Sequence, residues 1–104
     1  MQEQEKDIEA KLRKGIKSIG GLCLKWVSPG YTGVPDRIIL LPNAHIIFAE
    51  LKAPGKKERK RQVYVQTALR QLGFTVYSSV DSVEKVNDIV DKCKEVLRID
   101  GKTI

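Results

Sequence analysis

Two apolar runs stand on either side of three turn-forming residues: Asp36–Leu41 (DRIILL) and His45–Lys52 (HIIFAELK), with Pro42-Asn43-Ala44 between them. A break this short can only join antiparallel neighbours, because parallel strands need a crossover of a dozen or more residues. If the hairpin closes about Asn43, Leu41 faces His45, Leu40 faces Ile46 and Asp36 faces Glu50. Directly opposite residues share one face, with Cβ atoms about 5 Å apart. Lys52, two residues past Glu50, points to that same face by the strand's period of two. One register therefore gathers Asp36, Glu50 and Lys52, and a slip of one residue scatters them.

The rest of the chain reads as elements that cover this hairpin. Ile8, Leu12, Ile16 and Ile19 follow helical spacing within Gln4–Ile19, and Gly20-Gly21 ends that helix. Leu22–Val27 reads as a short strand, followed by a Gly/Pro loop, Ser28–Pro35. A basic loop, "APGKKERKR", feeds a helix from Glu58 to Leu72 with Val65, Leu69 and Leu72 as its apolar stripe. Phe74–Ser79 reads as a fourth strand. "DSVE" resembles a capping box with Asp81 as N-cap, opening a last helix to about Arg98 with Val83, Val86, Val90, Cys93 and Leu97 inward. The expected order is α-β-β-β-α-β-α. The helix between the third and fourth strands implies a parallel return, hence an α/β fold with a mixed central sheet flanked by helices. A length of 104 residues suits one domain, residues 1–104, with one modest core.

Burying two carboxylates together is costly without a partner. Two at hairpin distance repel and invite a cation, and a hard ion such as Mg2+ takes carboxylate oxygen, often with only one or two protein carboxylates. Glu5 falls close to the centre line of the first helix's apolar stripe, which points it inward; Glu9 lies nearer the edge. Gln62 lies on the line of Gln66 and Leu69, which puts an amide near the sheet. Taken singly, Asp36 reads as a strand-start residue, and Glu50 with Lys52 as a same-face ion pair. His45, the one histidine, has the opposite parity to Glu50 and reads as a turn-end residue outside any catalytic set.

The net charge of +6 suits a polyanion such as nucleic acid. Cys23 and Cys93 lie far apart in apolar patterns with no zinc-ligand spacing, as core residues of a reduced, intracellular protein do. The opening "MQEQEKDIEAKLRK" lacks the apolar stretch of a signal peptide, and no apolar run is long enough to span a membrane.

"GVPDRIILL" followed by "AELKAPGK" resembles the VRR-NUC domains of the PD-(D/E)XK nuclease superfamily. "EKDIE" is similar to the family's opening glutamate motif, "KWVSPGYTGVPDRI" to the segment leading to its catalytic Asp, "ELKAPGKK" to its E-x-K motif, and Gln62 with "LRQLGF" to its following helix. The resemblance covers most of the chain and departs where relatives carry a Ser-Pro lead-in to the Gln and this chain has "KKERKRQ". It implies a Mg2+- or Mn2+-dependent DNA endonuclease of the stand-alone phage and bacterial type. Such proteins are associated with homodimers that cut branched DNA, including Holliday junctions. It further implies that Asp36, Glu50, the main-chain carbonyl of Leu51 and Glu5 hold the metal. Lys52 would activate water or stabilise developing charge, and Gln62 would support the site. Lys25, Arg37, Lys56, Lys57, Arg59, Lys60, Arg61 and Tyr31 would meet DNA. Tyr31 reads either as a base-stacking residue or, slightly favoured, as a cover for the core; Trp26 reads as core or dimer interface. The expected location is the cytoplasm of a bacterium or phage-infected cell.

Overall fold

The computed structural model describes residues 4–102. Elements follow in the order α1 (Glu5–Ser18), β1 (Leu22–Lys25), β2 (Arg37–Leu41), a 3-10 turn (Pro42–Ala44), β3 (His45–Leu51), α2 (Lys60–Gln71), β4 (Thr75–Val80) and α3 (Val83–Lys102). The sheet order is β1-β2-β3-β4; the first three strands are antiparallel and β4 lies parallel to β3. Leu41 pairs with His45, Leu40 with Ile46 and Arg37 with Ala49, the register expected for closure at Asn43. Asn43 takes φ 64°, a left-handed conformation that asparagine tolerates better than most residues.

The two faces of the sheet differ. Cys23, Ile39, Leu41, Ile47, Ala49, Leu51 and Val80 form one closed core with Ile8, Leu12 and Ile16 of α1 and Val86, Ile89 and Cys93 of α3. Alternation sends these odd-numbered residues of β1–β3 to one side. Gly15 lets α1 and α3 approach closely, since a Cβ there would stand 2.7 Å from a methyl of Val90. The opposite face carries Leu22, Leu40 and Ile46 in one cross-strand row and Leu24, Ile38, Phe48 and Val76 in another. Phe48 stacks with Trp26 and Phe74 at centroid distances of 5.1 and 5.3 Å. Helix α2 covers the β4 side of this face through Val65 and Gln66, whose Oε1 takes the Ser78 hydroxyl.

Several sequence expectations shift at their edges. β1 ends at Lys25, although the Trp26 N–H still donates to the Asp36 carbonyl at 2.8 Å. Ser82, not Asp81, caps α3: its Oγ accepts from the Lys85 N–H at 3.2 Å, and Asp81 pairs with the Lys85 ammonium at 3.0 Å. Leu72, expected to face inward, is 74% exposed because α2 stops at Gln71, and Gln66 takes the buried place. Glu58 does not begin α2; it accepts from the Ser79 N–H at 2.6 Å and its hydroxyl at 3.1 Å. Both cysteines are buried and unpaired, and burial pushes their thiols up to about 11. No helix among the described residues is long and apolar enough to cross a membrane.

Candidate active site

The hairpin register brings Asp36, just before β2, beside Glu50 near the end of β3. The Asp36 N–H donates to Glu50 Oε1 at 3.1 Å, and the Leu51 N–H donates to the two Asp36 carboxylate oxygens at 3.2 and 3.3 Å. Glu50 is 3% exposed. Its Oε2 takes the Lys52 ammonium at 3.2 Å and the Gln62 side-chain NH2 at 2.9 Å. Gln62 Oε1 in turn accepts from Lys52 Nζ at 3.0 Å and from the Arg59 N–H at 2.8 Å. One amide thus closes the first turn of α2 and holds both ends of the Glu50–Lys52 pair. An amide suits this place because it offers a donor and an acceptor together.

Burial dominates the electrostatics of the pair. Burial, and then the neighbouring Glu50 carboxylate, push Asp36 up to about 6, against the opposing hydrogen bond from Leu51. Burial also raises Glu50, while Lys52 draws it down. Burial leads in both shifts, and the Glu50 charge adds to that of Asp36. A cation between them would relieve the repulsion.

Asp36 and Leu51 open onto a hollow of about 250 Å3 that Glu5, Glu9, Lys25 and Arg37 also line. Among the described residues no three His, Cys, Asp or Glu side chains already converge as a metal cluster. The acidic groups that line the hollow are Asp36, Glu5 and Glu9, with Leu51 beside them, and Glu50 stands behind Asp36, bonded to its N–H. That set fits a hard divalent ion rather than a soft one.

Glu5 is exposed rather than inward, because it is the first residue of α1 and lies beyond the packed stripe. It still faces the same hollow as Asp36. Glu9 is engaged by Arg13 at 3.0 Å and Arg37 at 3.3 Å. Arg37 is consequently a half-buried partner of Glu9, with its Nε buried and without a hydrogen bond, rather than a free cation at the surface. Lys25, Lys56, Lys57, Arg59 and Lys60 are exposed; Lys25 lines the hollow and Arg59 meets Gln62. His45 lies away from it, bonded through Nε2 to Asp100 at 2.7 Å.

Two features escaped the sequence. The β3–β4 pairing slips by one residue between Ala49 and Leu51, opposite Glu50, and Ser79 there adopts φ 53°. This is a bulge, a device that re-aims side chains beside functional sites, and Glu58 pins it. The second is a stack. The Arg61 guanidinium lies over the Tyr31 ring at 4.6 Å and over the Tyr64 ring at 5.1 Å. The signal for half of it is visible in sequence, since Arg61 and Tyr64 are three apart on a helix and so neighbours on its surface.

No protein-family model matches the chain. A protein named "Putative nuclease p44", from Acyrthosiphon pisum secondary endosymbiont phage 1, is 47% identical over 73 residues, which is 70% of this chain and 78% of that protein. A solved structure described as a VRR_NUC domain matches with a TM-score of 0.77 at 25% identity, over 84% of this chain and 94% of that one.

Proposed function

The chain belongs to the VRR-NUC family of nucleases, and from that premise we propose that it is a Mg2+- or Mn2+-dependent DNA endonuclease selective for branched structures such as Holliday junctions. The observation that carries the metal-dependent chemistry is the Asp36–Glu50 pair at the sheet end, Glu50 buried and Asp36 half-buried, with both pKa values raised and Lys52 bonded to Glu50. Asp36 and Glu50 would hold the ion, with the Leu51 carbonyl and Glu5 completing the set from the walls of the hollow. When bound, such an ion lowers the pKa of water and neutralises phosphate charge.

The chain's own residues supply the rest. Lys52, its ammonium held against Glu50 and Gln62, stabilises negative charge as it develops on the phosphate. Gln62 fixes that ammonium and Glu50 in one geometry, so neither reorganises during reaction. Water attacks phosphorus and gives up a proton to solvent, the P–O bond to the deoxyribose oxygen breaks, and that oxygen takes a proton from water. Lys25, Lys56, Lys57, Arg59 and Lys60 hold the phosphate backbone, giving affinity with little sequence preference.

We also propose that the protein acts as a homodimer in the cytoplasm. Two-fold symmetry sets two sites on two strands of a junction. The half of the sheet face that α2 leaves bare supports pairing: Leu22 is 58%, Leu24 45% and Ile46 42% exposed in one contiguous patch.

The test is incubation of wild type and Lys52→Ala with a four-way junction, a matched duplex and single-stranded DNA, in Mg2+, Mn2+ or EDTA. Paired, metal-dependent cuts in the junction, lost in Lys52→Ala, are the expected result. Cutting of all three substrates keeps the nuclease and removes the selectivity. Binding without cutting in every metal leaves a DNA-binding module. Solution mass decides dimer against monomer.

A further inference from the structure

We propose that Tyr31, Arg61 and Tyr64 form a stacking platform for an unpaired nucleobase, and that this platform lets the site distinguish broken helical structure from continuous duplex. The inference rests on the DNA-nuclease reading above and names the feature of the substrate that is read.

Both rings are surface groups, Tyr31 48% and Tyr64 61% exposed, yet they are ordered about one guanidinium. Arg61 is held a third time, its Nε donating to the Thr32 carbonyl at 3.0 Å. The backbone is shaped to permit this. Gly33 sits at φ 90°, and a Cβ there would stand 2.9 Å from the Arg61 carbonyl oxygen and 2.7 Å from its Cγ. Any side chain at residue 33 would lift the loop from α2 and part Tyr31 from Arg61. Tyr31 also walls an apolar hollow of about 310 Å3 shared with Trp26, Val34, Val65 and Leu69.

Position and charge select the occupant. Arg61 is adjacent in the chain to Gln62, which touches both Glu50 and Lys52. Arg59 lines a hollow with Arg61, Thr32 and Gly33, and Lys56, Lys57 and Lys60, close by in the chain, are exposed. A flat ring tethered to phosphates fits both features. Aromatic and guanidinium faces accept any base by stacking. A paired base has both faces already stacked, and extracting it costs energy, whereas a base left unpaired at a bulge, a flap or an opened branch point pays little of that cost. The platform therefore favours DNA with an unpaired base near the cut.

The experiment uses a short duplex carrying one unpaired 2-aminopurine and its fully paired counterpart, titrated with the protein in EDTA at fixed salt. Expected results are tighter binding of the unpaired probe by about tenfold, with quenched fluorescence. Tyr64→Ala should lose both the preference and the quenching, and Tyr64→Phe should keep them. Tyr64 is on the exposed side of α2, so the substitution leaves the core alone; Tyr31→Ala gives the second reading. Equal affinity of wild type for the two probes overturns the platform while leaving any cutting intact. So does a preference that survives in both alanine variants. No binding of either probe overturns the platform and the DNA reading together.

Discussion

The two faces of the four-stranded sheet are built for different ends. Toward α1 and α3 the residues are apolar, interlocked and almost free of solvent, from Ile8 and Leu12 through Ile39 and Ile47 to Val86 and Cys93. Toward α2 the face mixes aromatic and polar groups with a bare aliphatic half, Leu22, Leu24 and Ile46. It carries Trp26, Phe48 and Phe74, the buried Gln66, and at its end the Glu50–Lys52–Gln62 triangle. The first face secures the fold, which lets the second hold what a core excludes: a crowded pair of carboxylates, a strained bulge and exposed rings. Charges too close together cost stability, and one well-packed layer offsets that cost.

The comparison breaks most sharply at Lys52. Lys52→Ala should lower the cleavage rate by about a hundredfold to a thousandfold, read in a junction-cleavage assay, while the circular dichroism spectrum stays native. A similar loss of fold would mean that the second face also secures the structure. Next, Ile39→Ala on the closed face should cost about 2–5 kcal/mol in urea unfolding, because the cavity it leaves cannot collapse. Ile46→Ala, one strand over on the bare face, should cost about 1 kcal/mol or less in the monomer. Equal costs would erase the distinction between the faces.

Asp36→Asn sharpens the same point in the other direction. A carboxyl whose folded pKa is raised favours the fold when protonated; that contribution is complete below about pH 4 and is lost as pH rises through about 6. Above that range the ionised Asp36 weighs against the metal-free fold. The asparagine keeps an oxygen for the Leu51 N–H without the charge. It should raise the metal-free melting temperature by a few degrees at pH 8, with the gain fading toward pH 4, and abolish cutting. The smallest effect expected is from Mg2+ alone: millimolar ion should raise the wild-type melting temperature slightly at pH 8 and leave Asp36→Asn unmoved. A melting temperature of the wild type that ignores both Mg2+ and Mn2+ would tell against an ion at this pair.

Much of this was legible in advance. The hairpin register followed from the three-residue break at Pro42–Ala44 and the alternation beside it, and it alone set Asp36 beside Glu50. The stripe of α1 and the parallel return of β4 followed from periodicity and chain connectivity. Element ends were less legible, since they depend on which side chain wins a hydrogen bond. Ser82 rather than Asp81 capped α3, and Glu58 went to Ser79 instead of opening α2. Glu5 obeyed the helical angle but lay one turn beyond the packing that would have buried it.

The sequence by itself determined the order of elements, the pairing that juxtaposes two acids with a lysine, and the basic surface around them, because those depend on local periodicity and short chain closures. Only the tertiary structure decided which acid of α1 is free and which is consumed by Arg37. It also decided that Gln62 bridges Glu50 and Lys52, that a bulge stands opposite Glu50, and that Tyr31 meets Arg61 and Tyr64 across a glycine. Each of these joins groups from separate elements over distances of a few ångströms, and no pattern along a chain encodes where two helices and a loop come to rest against one another.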